Sequence, residues 1–284
     1  MLDPATADLP PAARAVLREV LVHGPVERAD VGRRLGLSPA SLTRLTRPLL
    51  DAGLLVEGAG VARTGAGRPA RPLDVQPGAR KFAGVKITGD DVTAVLTDLR
   101  AEVLASAHAP LRDRGVAEVV EQVAVLVRGL SADAGATLAG VGVSVGGRVR
   151  DRDVAVDAPF LGWTEVPLAT ALHQALGVPV RAENDVVALL VAEQWAGPAR
   201  DLDTFALVTV GAGVGYGLVV HGRPVTGPDA APLAHAPLLP DGPPCPDGHR
   251  GCATAVLTTG GLRAQVRDAD GYAAVLAAAT AGDT

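Results

Sequence analysis

The chain has 284 residues, 48% of them hydrophobic, a formal net charge of -5 and a mean hydropathy of +0.26. That length at that apolar content exceeds what one core usually encloses, so two or three structural units are expected. The N-terminal MLDPATADLPP has no basic or apolar leader region, and the longest apolar run, Phe205 to Val220, is short and broken by glycines; a soluble cytoplasmic protein with no membrane partner is expected.

Residues Ala12 to His23 space Val16, Leu17, Val20 and Leu21 along one helical face, and Gly24-Pro25 ends that helix. Glu27 to Leu35 predicts a second, short helix with Val31 and Leu35 inward, and Gly36 supplies the turn into a third. Ser38 suits the N-cap and Pro39 the first helical position, while Leu42, Leu45 and Leu49 recur toward the core. Ser41, Thr43, Arg44 and Arg47 then point outward, and Pro48 is expected to kink or end the helix near its own position. Leu54 to Glu57 and Arg71 to Val75 predict a two-stranded wing around Thr64 to Pro69.

Between Arg28 and Arg71 eight arginines stand against three carboxylates in an otherwise acidic chain. Two crossed helices, outward arginines and a basic ribbon together predict a winged helix-turn-helix over residues 1–78, with a double-stranded DNA operator as partner. Arg44 and Arg47, with Ser41 and Thr43, suit the major groove; Arg68 suits a narrow minor groove, and Arg63 and Arg71 suit phosphates. The competing reading is a small helical adaptor that binds another protein.

From Phe82 the pattern changes to period two. FAGVKITG, DVTAVLTDL and AEVLASAHAPL predict three consecutive strands, followed by a helix over Val116 to Leu130 and a buried strand, LAGVGVSVGG. A helix over Leu168 to Leu176, a strand over Val178 to Ala182 and a helix over Val186 to Trp195 come next. The pattern restarts with FALVTVGAG and VGYGLVVHG, which predicts a duplicated α/β unit: a first lobe over 79–203 and a second over 204–284. Cys245 and Cys252, in a chain with no export signal, favour a metal or free thiols over a disulfide.

The join of this N-terminal pattern to FAGVKITGDDVTAVLTDL, then GVGVSVGG, DAPFLGW, VPVRAENDVVALLVAEQWAG, VTVGAGVGYGLVVHGRPVTG and AHAPLLPDGPPCPDGHRGC, resembles the ROK family (repressors, open reading frames and kinases), specifically its xylose-repressor-like regulators. The resemblance runs from about residue 12 onward. It implies an actin-like fold of the ribonuclease-H-like, sugar-kinase type, a homodimer or higher homo-oligomer, and a sugar or sugar-phosphate effector in the interlobe cleft that alters operator binding. It also implies a chain that stops short, since a helix begins at Tyr272 to Ala281 where family members continue; the second lobe is then incomplete.

Carried over residue by residue, the resemblance leaves a partial site. Lys86-Ile87-Thr88-Gly89 stands where the kinases hold an acidic phosphate-binding loop, and Ala212 stands for a phosphate-binding threonine in Gly211 to Gly215. That segment reads either as an anion loop or as a plain glycine hairpin. Asp185 matches the kinases' general base and equally suits a helix N-cap; with Asn184 and His235 it completes the surviving polar set for an effector. Phe160, Pro232 and Thr254 replace other sugar contacts. The family's zinc set maps onto His235, Cys245, Asp247 and Cys252, with His249 a rival fourth ligand, or onto a flexible loop with two reduced cysteines. A possible structural zinc is therefore expected, and no ATP. The preferred reading is a sequence-specific regulator, a repressor and not an enzyme; a sugar kinase and a ligand-blind DNA-binding protein are its competitors.

Overall fold

A computed structural model of the chain describes residues 9–58, 71–225, 233–245 and 247–265, with the single positions 273, 277 and 280. It divides into two compact units, Met1–Ala188 with Trp195–Arg200, and Leu189–Gln194 with Asp201–Thr284.

The first unit opens with three helices, α1 (Pro11–His23), α2 (Arg28–Leu35) and α3 (Pro39–Asp51), followed by β1 (Leu55–Glu57) and β2 (Leu73–Val75). The heptad-like spacing of apolar residues does what it should: Val16, Val20, Val31, Leu42, Leu49, Leu54, Leu55 and Leu73 form one buried core. Gly36 turns α2 into α3 with φ 64°, a left-handed conformation that glycine adopts without steric cost. Ser38 caps α3 by accepting from the Ser41 N–H at 3.2 Å. β1 and β2 pair antiparallel with Leu55 opposite Val75, and Val26 bridges to Leu73 from the other side.

Pro48 does not end the third helix, which runs on to Asp51. Pro48 lies on the exposed face, and the ladder resumes with Ala52 N–H on the Pro48 carbonyl at 3.0 Å. The ribbon tip, with Arg63 and Arg68, lies outside the described residues, as does most of the helix expected at Tyr272 to Ala281.

Four strands of one mixed, five-stranded sheet follow: β3 (Lys81–Ile87), β4 (Asp91–Thr97), β5 (Val103–Pro110) and, after α4 (Val116–Asp133), β6 (Leu138–Val145). Next come β7 (Arg148–Arg150), β8 (Val154–Ala158), β9 (Trp163–Pro167), α5 (Leu168–Leu176), β10 (Val180–Asn184) and α6 (Asp185–Trp195). The sheet order is β10-β6-β3-β4-β5, with β3, β6 and β10 parallel and β4 antiparallel to both neighbours. Alternation decides the buried face: Ala83, Val85 and Ile87 of β3 and Val141, Val143 and Val145 of β6 pack against Val119, Val123, Val127 and Leu130 of α4.

Two features depart from the expected order. β7, β8 and β9 form a separate three-stranded antiparallel sheet where no strand was expected; its strands are only three to five residues long, and Thr164-Glu165 breaks the period-two signal in β9. The strand expected at Val178 to Ala182 begins two residues later: the Val178 carbonyl is held by His173 Nδ1 at 2.8 Å, and pairing with β6 starts with Val141 N–H on the Pro179 carbonyl at 2.9 Å.

The three-helix portion docks on this sheet within the same unit. Leu99, in the turn after β4, packs on its core and donates its N–H to the Pro77 carbonyl at 3.0 Å, while Arg100 pairs with Asp74. Arg18 of α1 lies 5.4 Å from the centre of the Trp195 ring at the end of α6.

The second unit contains the antiparallel hairpin β11 (Phe205–Val210) and β12 (Val214–Val220), extended by β13 (Arg223–Pro224), and two short helices, α7 (Ala253–Leu257) and α8 (Thr259–Gln265). Gly211 to Gly213 form the tight turn of that hairpin, with Gly211 N–H on the Gly213 carbonyl at 3.0 Å, while Val214 and Gly215 already pair with Val210 and Thr209.

Candidate functional site

Helix α3 displays Thr43, Arg44 and Arg47 on its exposed face, with Ser41 half-buried near its start. Thr43 Oγ1 donates to the Pro39 carbonyl at 2.9 Å, and Ser41 Oγ accepts from Ser38 Oγ at 3.0 Å, so both hydroxyls are held while keeping acceptor capacity. Arg47 Nε lies 3.1 Å from both Asp51 oxygens. Arg71 reaches to 3.7 Å from Glu57. Arg44 is exposed and has no ion pair among the described residues.

The local excess of positive charge is smaller than the arginine count implies. Arg33 pairs with Asp30 and Arg34 with Glu19, each at 2.8 Å. Arg28 is structural: its Nη1 donates to Thr46 Oγ1 and its Nη2 to Glu57 Oε1, both at 2.7 Å, which ties α2 to α3 and to β1. Thr46 is buried, and no periodicity argument singled it out.

The Arg28 hydrogen bond holds the Glu57 carboxyl below its ordinary value; burial opposes it, and the charges of Arg28 and Arg71 add to it. A carboxyl lowered on folding contributes stability above its unfolded value and loses it as pH falls through the folded one. Glu57→Gln should therefore cost up to about 1 kcal/mol at neutral pH, the range of a partly exposed pair. Denaturant melts of wild type and variant should converge in acid, once both side chains are neutral.

At the carboxyl ends of the parallel strands, Asn184 closes β10 and Asp185 opens α6. Asn184 is the cap: its Oδ1 accepts from the Val186 and Val187 N–H groups, both at 3.0 Å, and its Nδ2 donates to the Gly147 carbonyl at 2.6 Å. Asp185 uses only Oδ1, which accepts from Val186 N–H at 3.0 Å and Asn184 Nδ2 at 3.3 Å. Of the two roles open to Asp185 in the sequence, capping falls mainly to its neighbour.

In the second unit a loop assembles four donor atoms. The Cys245 N–H donates to the His249 carbonyl at 2.8 Å and the Gly248 N–H to the Cys245 carbonyl at 3.0 Å, a tight turn that sets Cys245 beside His249. The N–H groups of Ala253 and Thr254 bond the Ala236 and Ala234 carbonyls, both at 2.9 Å, bringing His235 opposite Cys252. Thr254 adds a side-chain bond to the Ala234 carbonyl at 2.7 Å. His235 Nδ1 consequently lies 3.6 Å from each cysteine sulfur and 3.3 Å from His249 Nε2.

The four ligand atoms of His235, Cys245, His249 and Cys252 all lie within 4.8 Å of one another. A tetrahedron with zinc's usual bond lengths has edges of about 3.6 Å between nitrogen and sulfur and about 3.4 Å between nitrogens, so the donor set and its spacing fit such an ion. Asp247, expected as fourth ligand, stands outside this group, 3.1 Å from His235 Nε2; His249 holds the fourth place. The carboxylate behind a ligating histidine fixes its tautomer and leaves Nδ1 free to bind. Burial pushes the Cys252 thiol up, but the Ala255 N–H, His235, His249 and Cys245 outweigh it and bring it down to about 6. Cys245 is lowered by its backbone bond at Asp247, yet burial and the neighbouring Cys252 raise it overall.

A mixed five-stranded sheet with open strand ends, followed by a hairpin lobe and a His/Cys loop, defines the sugar-kinase-like class of α/β proteins. The ROK family model matches residues 82–281, and the chain belongs to that family. Transcriptional regulator Rv0485 of Mycobacterium tuberculosis is 34% identical over 238 residues, 80% of this chain and 54% of that protein. A crystal structure described as a ROK family transcriptional regulator, homolog of the E. coli MLC protein, superposes with a TM-score of 0.74 at 26% identity, over 90% of this chain and 66% of that one. The glucokinase of Thermotoga maritima is 32% identical over 192 residues, 66% of this chain and 60% of the enzyme. The chain thus spans between half and two thirds of the length of these relatives. No described helix is long and apolar enough to cross a membrane.

Proposed function

We propose that this chain is a sequence-specific DNA-binding transcription regulator, a repressor, whose winged helix-turn-helix over residues 1–78 is controlled by a sugar-like effector bound in the body. The observation that carries the proposal is α3, a capped helix with Leu42 and Leu49 buried and Arg44 outward and without an ion pair among the described residues. Supporting it, the regulator structure covers 90% of this chain, more than the body that begins at residue 82 can account for. In this reading Ser41, Thr43, Arg44 and Arg47 meet the major groove, Arg71 meets phosphate, and Arg63 and Arg68 act from the ribbon tip. A cytoplasmic homodimer would place two readers on a two-fold operator.

The body, lobes 79–203 and 204–284, senses rather than catalyses. Asp185 is the effector contact; His235, with both ring nitrogens engaged, belongs to the metal cluster. Zinc there is structural, since four protein donors leave no open position for water. A second reading, a sugar kinase, draws on the glucokinase relative and on the uncommitted Asp185 Oδ2, and is opposed by Lys86-Ile87-Thr88-Gly89 and Ala212. Selection of duplex sites by the purified chain, with and without a sugar panel, tests the proposal. Enrichment of one operator, released by a sugar, is expected; no retained duplex at low salt, or sugar-dependent ATP turnover, overturns it.

A further inference from the structure

Three parallel strands, β10, β6 and β3, lie side by side, so their carboxyl ends, Asn184–Asp185, Val145–Gly147 and Ile87–Gly89, share one edge of the sheet. Open parallel sheets bind ligands outside such ends. Phe160, in the turn between β8 and β9, crosses two of them. Its carbonyl oxygen lies 3.0 Å from where a Gly89 Cβ would be, and its ring atoms Cδ2 and Cε2 lie 3.1 and 3.4 Å from the equivalent point on Gly146. Asp185 Oδ2 lies 3.8 Å from that same point. Glycine at 146 is what lets the ring rest on the strand end; a side chain there would have to displace it. The residue stays 46% exposed.

The polar inventory of this shelf is short. Asn184 spends its amide on backbone and on Asp185 Oδ1. Arg114 donates its Nε to the Gly89 carbonyl at 3.0 Å and sets Nη2 3.7 Å from Asp90. Asp185 Oδ2 has no hydrogen bond among the described residues, whereas Oδ1 has two. At its Gly146 end, away from Arg114 and Asp90 beside Gly89, the shelf therefore offers one carboxylate oxygen next to one exposed aromatic ring. A bare hexose would leave most of its hydroxyls unmatched by side chains here, at about 1 to 3 kcal/mol for each one desolvated.

We propose that the shelf formed by Gly89, Gly146, Phe160 and Asp185 takes a sugar bearing an aromatic substituent, with Phe160 as the residue that selects it; this rests on the sugar-sensing reading above. A sugar hydroxyl donates to Asp185 Oδ2, and the substituent stacks offset on the Phe160 ring, excluding water from both faces.

Calorimetric titration of the intact chain with glucose and with phenyl β-glucoside tests the assignment. The aryl sugar should bind about tenfold more tightly, as a buried, stacked ring implies. Phe160→Ala should bring the two ligands within about twofold, Phe160→Tyr should keep the preference, and Asp185→Asn should weaken both together. Equal affinities in wild type, an unchanged ratio in Phe160→Ala, or no binding of either sugar overturns the inference. Duplex retention by the same preparation separates the two levels. If DNA is held and neither sugar binds, only the shelf assignment falls; if the aryl sugar is preferred and no DNA is held, the regulator reading falls.

Discussion

Replacing Cys252 by serine is expected to abolish metal retention by the His/Cys loop and to release the segment between Ala234 and Thr258. Cys252 is fully buried, caps α7 through its sulfur, and faces His235 at 3.6 Å. Among the described residues the buried cluster around it is Cys245, Cys252 and Ala255, too little apolar surface to hold the loop without a metal. Structural zinc contributes about 10 to 16 kcal/mol to the fold of small zinc peptides at neutral pH, so losing a thiolate ligand removes the main constraint on this loop. Metal analysis should find about one zinc per chain in wild type and none in Cys252→Ser, and hydrogen exchange should lose protection at Ala253 and Thr254. Two further variants discriminate the ligand set. His249→Ala should nearly abolish binding, whereas Asp247→Asn should lower affinity only about 10- to 100-fold, as loss of a hydrogen bond behind a ligand does. Equal losses in both would return Asp247 to the metal.

Arg44→Ala is expected to weaken binding to the selected operator and to relax the base preference at one position. A bidentate arginine-guanine contact discriminates by about 1 to 3 kcal/mol, or roughly 5- to 150-fold. Its folding stability should not change, because Arg44 is exposed and has no ion pair among the described residues. Arg28→Ala should behave in the opposite way. It removes charge-assisted bonds to buried Thr46 and to Glu57, so a loss of about 1.5 to 3 kcal/mol should appear in denaturant melts. Operator titrations beside melts of both variants check the pair. Unchanged affinity in Arg44→Ala would remove α3 as the reading helix.

The three N-terminal helices were legible because each obeys a local rule. Apolar residues recur at helical spacing, Ser38 caps, and Gly36 permits a left-handed turn. Pro48 obeys a local rule as well: its missing N–H is tolerated in the last turn, and the helix closes three residues on, at Asp51. The β7-β8-β9 sheet was not legible because β7 has only three residues and Thr164-Glu165 breaks the alternation of β9. The available signal was Val154 and Val156 around buried Ala155, two residues past a polar turn.

By itself the sequence determined the three N-terminal helices, the helices and strands of the body apart from β7, β8 and β9, and the candidate residues His235, Cys245, Cys252, Asn184 and Asp185. It did so because periodicity, caps and turns act over a few residues. Only the tertiary structure decided the partners. Fourteen positions separate His235 from His249, and eighteen separate Arg28 from Thr46. Whether His249 or Asp247 faces the sulfurs, and which arginine is spent inside the fold, depends on where distant backbone bonds bring those side chains. One pairing, Ala234 to Thr254, sets His235 against Cys252; another, Cys245 to Gly248, turns His249 inward and leaves Asp247 behind His235.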